Sequence, residues 1–271
     1  SGEVRVNKGR AKQTTRLATG DVVRIPPIRT SESEAPPVVS SGLTERLSRA
    51  CVYEDDQLFI FNKPAGLAVH GGSGVSLGLI EALRVIHPEE KEMELVHRLD
   101  RDTSGLIMVA RKRAFLRKLQ RLMQAGQIEK RYWLLCQGFK GKERTMEAPL
   151  LKMQNGNERI VRVSREGKAS VTHFRMLERL ADAQLVEATL ETGRTHQIRV
   201  HSQFGGFPLL GDDKYGTDKG AALLASIGHK RLCLHARTLV FPHPNTGKKL
   251  TITAPLDEDF EAILKTLRGA R

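Results

Sequence analysis

Apolar residues in this 271-residue chain gather into short runs that only partly alternate with polar positions. Leu58-Phe59-Ile60-Phe61 and Leu106-Ile107-Met108-Val109-Ala110 are continuous apolar runs of strand length that call for burial. Leu95-Val96, Tyr132 to Cys136, Leu232 to Arg237 and Leu239 to Phe241 read as further strands. Between residues 145 and 191 short strands alternate with polar turns, at Glu158 to Val163, Ser170 to Leu177 and Gln184 to Glu191. Helical spacing occurs at Leu79, Ile80, Leu83 and Ile86, where Pro88 stops the helix. It recurs at Phe115, Leu116, Leu119, Leu122 and Met123, with Gly126 as the natural C-cap. Thr195 is placed to cap a third helix that runs to Phe204 and stops at Gly205-Gly206. A last helix should bury Phe260, Ile263, Leu264 and Leu267, with acids in its first turn where the dipole favours them. Strands and helices do not alternate regularly. The pattern therefore predicts an α+β fold with a largely antiparallel or mixed sheet.

The first 29 residues stand apart. Arg5-Val6-Asn7 and Gly20 to Ile25 read as two small strands around a loop, closed by Pro26-Pro27. So short a piece can hardly bury a core. Residues 28–42 are rich in Ser, Pro and Glu without periodicity, which is linker composition.

Composition narrows the class. With 39% hydrophobic and 28% charged residues, the chain reads as a soluble globular protein. It has no apolar run of membrane-spanning length, about 18 residues, and the sequence as given shows no signal-peptide core; a cytoplasmic protein is expected from its cysteines. Cys51, Cys136 and Cys233 lie far apart in apolar runs, as buried thiols in a reducing compartment would. The formal charge is +13 and unevenly spread. Residues 1–29 carry seven Lys/Arg and two acids, and residues 111–131 carry eight and one. Such density favours a polyanion, because neutralising phosphates releases counterions. Neither segment has the aromatic-rich apolar face of a helix that lies on a membrane. Nucleic acid is the expected partner.

Candidate chemistry sits in two stretches. His97-Arg98-Leu99-Asp100-Arg101-Asp102-Thr103-Ser104-Gly105 places two carboxylates, two guanidinium groups and an imidazole in a turn between strands, where scaffolds present functional groups. Thr192-Gly193-Arg194-Thr195-His196-Gln197-Ile198-Arg199-Val200-His201 gathers two arginines and two histidines at a helix start. No third ligand completes a zinc-type set there, and His196 and His201 are five apart, a poor fit to one helical face. The glycine-rich loop Gly66 to Gly74 matches neither the nucleotide P-loop nor the dinucleotide fingerprint.

Five blocks in order then carry a resemblance. NKPAGLAVHGG (62–72), VHRLDRDTSG (96–105), TGRTHQIRVH (192–201), LLGDDKYG (209–216) and LCLHARTLVFPHPNTG (232–247) resemble the signature blocks of the RluA family of pseudouridine synthases. The HGGSG and ERIVRVSREGK stretches (70–74 and 158–168) and the basic N-terminus are most similar to its RluC type, which modifies uridines of 23S ribosomal RNA. The N-terminal piece resembles the second half of an S-four-like (αL) RNA-binding domain. The resemblance implies three parts: residues 1–27 as the end of that domain, 28–47 as linker, and 48–271 as a catalytic domain. That domain would have the pseudouridine synthase fold, a long mixed, mostly antiparallel sheet with flanking helices and a central cleft. The resemblance implies isomerisation of uridine within RNA by an enzyme that needs neither metal nor organic cofactor; no membrane and no obligate protein partner is implied, and nothing in the sequence argues against a monomer. Asp100 is implied as the catalytic aspartate and Arg199 as its partner. Tyr132 would lie beside the target base, Ile198 would wall the pocket, and Arg98 would enter the RNA stack. Asp102 is left as a turn-stabilising acid, and the basic stretch after the turn is expected to hold flanking phosphates. Residue chemistry alone leaves two alternatives: a hydrolase using the Asp100/Asp102 pair, and an RNA-binding module without catalysis.

Overall fold

The computed structural model describes residues 4–12, 14–24, 38–71, 77–155 and 158–269. The chain divides into two compact units, Ser1–Val38 and Val39–Arg271. In the first, strands β1 (Arg5–Val6), β2 (Gly9–Arg10) and β3 (Val23–Arg24) form an antiparallel sheet of order β2-β1-β3. Asn7 and Lys8 make the β1–β2 turn with φ of 49° and 72°, the left-handed pair that matches strand twist. Polar bonds hold this unit together. Asn7 Nδ2 donates to Asp21 Oδ1 (2.8 Å) and Asn7 Oδ1 accepts from the Val22 amide (3.0 Å). Leu17 and Val22 stay exposed, as expected of a piece too small for a core. Pro26, Pro27 and residues 28–37 of the expected linker lie outside the described residues.

The linker was expected to reach residue 47, and the structure corrects that boundary. Helix α1 (Ser41–Arg49) is capped by Ser40, whose Oγ accepts from the Leu43 amide at 3.3 Å. It buries Leu47 fully, with Leu43 packed on the same cluster. The pair Leu43 and Leu47 is one turn of helical periodicity, too brief to stand out beside the Ser/Pro-rich run before it.

The remaining elements follow in order: β4 (Cys51–Glu54), β5 (Leu58–Lys63), α2 (Leu79–Ile86), β6 (Glu94–Leu95), β7 (Ser104–Ala110), α3 (Arg113–Gln124), β8 (Glu129–Cys136) and β9 (Glu143–Glu147). Then come β10 (Leu150–Asn155), β11 (Glu158–Val163), β12 (Val171–Arg179), β13 (Gln184–Leu190), α4 (Gln197–Phe204), α5 (Asp218–Ser226), β14 (Leu234–Pro242), β15 (Lys249–Thr253) and α6 (Glu258–Gly269). The ten-stranded sheet has the path β4-β5-β7-β14-β8-β13-β12-β9, with β6 on β7 and β15 on β14. Strands β10 and β11 form a separate antiparallel hairpin. The β7–β14 pair is parallel and the other pairings are antiparallel, so the sheet is mixed.

Both faces of this sheet are covered, which explains its continuous apolar strands. Phe59, Phe61, Ile107 and Val109 share one cluster with Leu79, Ile80 and Leu83 of α2. Their neighbours Leu58, Ile60, Leu106 and Met108 point the other way and pack on Phe115 and Leu119 of α3. Farther along that second face, Leu135, Leu185 and Cys233 meet Phe260, Ile263, Leu264 and Leu267 of α6. The predicted core of the last helix is thus buried in full.

Strands β7 and β14 touch only at Ser104–His235 and Gly105–Ala236. Gly105 has φ +106°, and a Cβ there would lie 2.3 Å from the Ala236 carbonyl oxygen and 2.5 Å from its nitrogen. Only glycine lets the two backbones approach this closely. Gly105→Ala is therefore expected to cost at least the roughly 1–3 kcal/mol of a strained non-glycine backbone, plus the parting of the central strands. Chemical denaturation measures this, and an unchanged midpoint would refute the close approach as the reason for glycine.

Candidate active site

The turn before β7 is held from three directions. His97 Nε2 accepts from the Met108 amide at 3.1 Å, which requires a neutral imidazole. Burial agrees, pushing its pKa down to about 4. At the end of β5, Lys63 is fully buried. Its ammonium donates to the carbonyls of Pro64 (2.9 Å), Leu67 (2.8 Å) and Arg101 (2.9 Å), which uses all three protons. Burial depresses the Lys63 pKa to about 7, against the pull of Asp102 and Asp100. At the far end of the turn, Arg231 donates to Ser104 Oγ (3.0 Å), which lies 2.9 Å from His235 Nδ1. His235 is buried and its pKa is likewise pushed down to about 4.

This scaffold presents Asp100, its side chain 23% exposed, to α4. Arg199 Nη1 lies 3.6 Å from Asp100 Oδ2, and His196 Nε2 lies 3.8 Å from the same oxygen. Both distances exceed a hydrogen bond, so the carboxylate is flanked by donors without being locked to them. The hydrogen bonds of Arg199 go elsewhere. Nε and Nη2 grip both oxygens of Asp212 at 2.7 and 2.6 Å, and Nη2 also reaches Asp213 at 3.1 Å. Burial alone would lower the pKa of Arg199, but its bond to Asp212 and the surrounding carboxylates raise it. Asp212 is fixed in turn by the amides of Lys214 and Tyr215, both at 3.0 Å. The expected Asp100–Arg199 pair is thus an ion pair without a hydrogen bond, and the hydrogen-bonded clamp of Arg199 is Asp212.

His196 closes the arrangement. Its backbone is left-handed (φ 55°, ψ 19°) and it occupies the N-cap of α4. Thr195 does not cap the helix, contrary to the sequence expectation. The first turn is tied instead by Gln197 Oε1, which accepts from the Arg194 amide (3.0 Å) and the Thr192 hydroxyl (2.8 Å). Left-handed geometry at a histidine is uncommon and often accompanies a functional orientation. Tyr215 Oη accepts from the Val161 amide (3.0 Å) and lies 2.8 Å from His196 Nδ1. A phenol hydrogen directed at Nδ1 would leave the imidazole proton on Nε2, facing Asp100. Burial pulls the His196 pKa down, with the Asp100 charge opposing.

One pocket is lined by Arg98, Leu99, Asp100, Tyr132, His196, Ile198 and Arg199, so the five residues expected from sequence meet in one place. Strand register explains Tyr132: it faces Ala236 on one side and Ala188 on the other, and Gly105 continues that row. Small neighbours leave the ring room at the pocket floor. Tyr132 is 7% exposed, and burial followed by the Asp100 charge raises its pKa, so the phenol is neutral at pH 7. Arg98 is exposed and also borders two adjoining hollows. One of these carries Lys152, Lys168 and Arg194. Asp102 pairs with Arg101 at 3.2 Å and lines the other hollow, not the pocket of Tyr132. Sequence reasoning missed the roles of Lys63, His196, Asp212 and Tyr215. All four lie within stretches singled out there, but nothing in one dimension joins Asp212 or Tyr215 to α4. Among the described residues no group of three or more His, Cys, Asp or Glu is arranged to hold a metal. No helix among them is long and apolar enough to cross a membrane. The basic helix α3 packs on the sheet face opposite this pocket.

Similarity to known proteins runs along the whole chain. Residues 57–204 match a family described as RNA pseudouridylate synthase. The chain is 50% identical over 277 residues to the ribosomal large subunit pseudouridine synthase C of Escherichia coli (strain K12), covering 100% of this chain and 86% of that one. It is 48% identical over 270 residues to the protein of the same name from Pasteurella multocida (strain Pm70), covering 98% and 83%. The solved structure of human RNA pseudouridylate synthase domain containing 4 superposes with a TM-score of 0.71 at 27% identity, covering 84% of this chain and 96% of that one.

The neutral histidines beneath the turn make stability depend on pH. Below pH 4 folded and unfolded chains both protonate His97 and His235, and above the ordinary value of 6.5 neither does. In between, the unfolded chain binds protons that the folded one refuses, so stability falls as pH drops from 6.5 toward 4. Denaturant titrations across that window should show this fall, flattened in His97→Gln, whose amide oxygen can still accept from Met108. Parallel pH profiles for the two proteins would show that His97 is not held neutral.

Proposed function

The chain belongs to the RNA pseudouridylate synthase family, and from that premise we propose that it isomerises uridines to pseudouridine in the RNA of the large ribosomal subunit, with Asp100 as the catalytic aspartate. The supporting observation is a half-buried carboxylate at a pocket mouth, flanked but not hydrogen-bonded by Arg199 and His196 and set beside the ring of Tyr132. The reaction breaks the bond between N1 of uracil and C1′ of the ribose, turns the base, and joins C5 to C1′. One proton leaves C5 and one arrives at N1, so the nucleotide keeps its composition.

Positive charge develops at the sugar as the first bond breaks. A carboxylate can stabilise that charge or attack it. Asp100 suits either role because its oxygens are free: the guanidinium nearest to it is already engaged by Asp212. A base inside folded RNA must leave its stack first, at a cost of a few kcal/mol. Tyr132 and Ile198 offer it a wall, and aromatic stacking contributes about 1–3 kcal/mol per base. Arg98, exposed at the rim, is placed to fill the gap left in the RNA. Lys152, Lys168 and Arg194 in the next hollow suit the flanking phosphates, which fix position more than sequence. The small N-terminal sheet would add to RNA binding as part of an S-four-like domain. Three free thiols, two of them buried, fit a cytoplasmic location.

Asp100→Asn should abolish pseudouridine formation in a large-subunit RNA transcript while RNA affinity stays within a few-fold of wild type. Continued turnover by that variant would assign the chemistry to another residue, and release of free uracil by the wild type would mean hydrolysis. Mapping pseudouridines in ribosomal RNA from cells lacking the protein tests the substrate; an unchanged map would overturn it. His196→Gln should lower kcat and leave KM nearly unchanged, since His196 lies 3.8 Å from the Asp100 carboxylate and its side chain is only 15% exposed. A pure KM effect would instead make His196 an RNA-binding group.

A further inference from the structure

Helix α3 and the turn after β14 carry charge that the active site does not use. From Lys112 to Ile128 the chain holds five cations and no acid. The buried side of α3, Phe115 and Leu119, sits on Leu106 and Met108 of β7, whereas Ile107 and Val109 face the core that contains Tyr132 and Ile198. The cationic face is therefore on the reverse of the sheet. Arg113, Arg117 and Arg121 follow one another at single helical turns, about 6 Å apart along the axis, with Lys118 beside them, and all four are exposed. Lys118 Nζ donates to Asn245 Oδ1 at 2.7 Å. That bond joins the helix to the turn that also exposes Lys248 and Lys249.

Several exposed arginines elsewhere carry counter-charges that this patch lacks. Arg84 pairs with Glu94, Arg175 with Glu187 and Arg268 with Glu178. Among the described residues no carboxylate pairs with the guanidinium of Arg113, Arg117 or Arg121. Two acids of flanking segments are already engaged: Glu92 accepts from the Arg113 amide and Glu129 pairs with Arg131. Unpaired like charges in a row repel one another, so the arrangement costs stability unless a polyanion neutralises it. No large apolar side chain is exposed between 112 and 128, which disfavours a membrane surface.

We infer that α3 and the β14–β15 turn form a second RNA-binding surface, on the sheet face opposite the pocket, that grips phosphates of an RNA segment remote from the target uridine. This rests on the proposed function for the choice of RNA. A large folded RNA can reach both faces of the protein, whereas a short stem-loop seated in the pocket cannot. The grip is on backbone phosphates and adds affinity without reading sequence.

The test uses the full chain and the triple variant Arg117→Gln/Lys118→Gln/Arg121→Gln. Binding is measured to a full-length large-subunit RNA transcript and to a short stem-loop containing one uridine modified in that transcript, across a salt series. For the long transcript, the slope of log affinity against log salt should become shallower by about 2–3, at roughly 0.7–0.9 for each phosphate no longer neutralised. Affinity for the stem-loop and its kcat/KM should not change. Arg117→Lys/Arg121→Lys, which keeps the charge, should retain the wild-type slope. An unchanged slope in the triple variant, equal losses on both RNAs, or a loss in the lysine variant would each overturn the inference. If instead the wild type bound both RNAs as expected but converted no uridine, the proposed function would fail while the binding surface stood.

Discussion

The buried ion pair between Arg199 and Asp212 is the constraint on which the site depends. Taking both charges out of water is expensive, and such pairs often add little net stability over an apolar replacement. What this one supplies is geometry. Asp212 takes two nitrogens of the guanidinium and is itself pinned by two backbone amides, so the third nitrogen faces Asp100 with no freedom to close on it. A softer arrangement would let Arg199 collapse onto Asp100 and occupy the oxygens that chemistry needs. Saturating the arginine from behind keeps a cation near the carboxylate while leaving the carboxylate free.

The same over-determination extends outward. The turn that carries Asp100 has few regular hydrogen bonds of its own, so side chains from distant elements supply them. Lys63 binds three carbonyls from the end of β5, and His97 caps an amide within β7. Tyr215 ties His196 to the backbone of β11, so the separate β10–β11 hairpin is linked through two side chains to the pocket. Each link uses a group held in the protonation state that its partner requires. The site is rigid because each link is a buried or half-buried side chain held by groups from distant elements.

Much of this was legible in one dimension. The strands at Leu58 and Leu106 and the last helix follow from apolar runs and spacing, because burial on a sheet face or helix stripe leaves a periodic trace. Asp100, Tyr132, Ile198 and Arg199 were readable as a group only through the resemblance of the blocks around them. Asp212 was not, because its charge is directed to a residue 13 positions away, and a buried acid in a turn looks like any turn-forming acid. His196 drew notice as a possible ligand, yet its orientation comes from a left-handed backbone that no residue pattern announces. The failed cap at Thr195 has the same origin: a strained residue took the capping position.

Charge is divided according to distance from the pocket. In the proposed function the carboxylate of Asp100 faces a polyanionic substrate, so its charge opposes the approach of RNA. Asp100, Asp102, Asp212 and Asp213 lie around the pocket, yet Arg101 and Arg199 are interleaved with them at ion-pair distance. This partial compensation reduces the repulsion of phosphates, and attraction must then come from cations farther out. That division explains why the excess positive charge is not concentrated at the chemistry. Arg98, Lys152, Lys168 and Arg194 frame the pocket and its neighbouring hollow, while the unpaired arginines of α3 lie beyond reach of the carboxylates. On the proposed function, pairing near the pocket preserves a usable aspartate, and the inferred surface on α3 puts unpaired charge for holding RNA away from it.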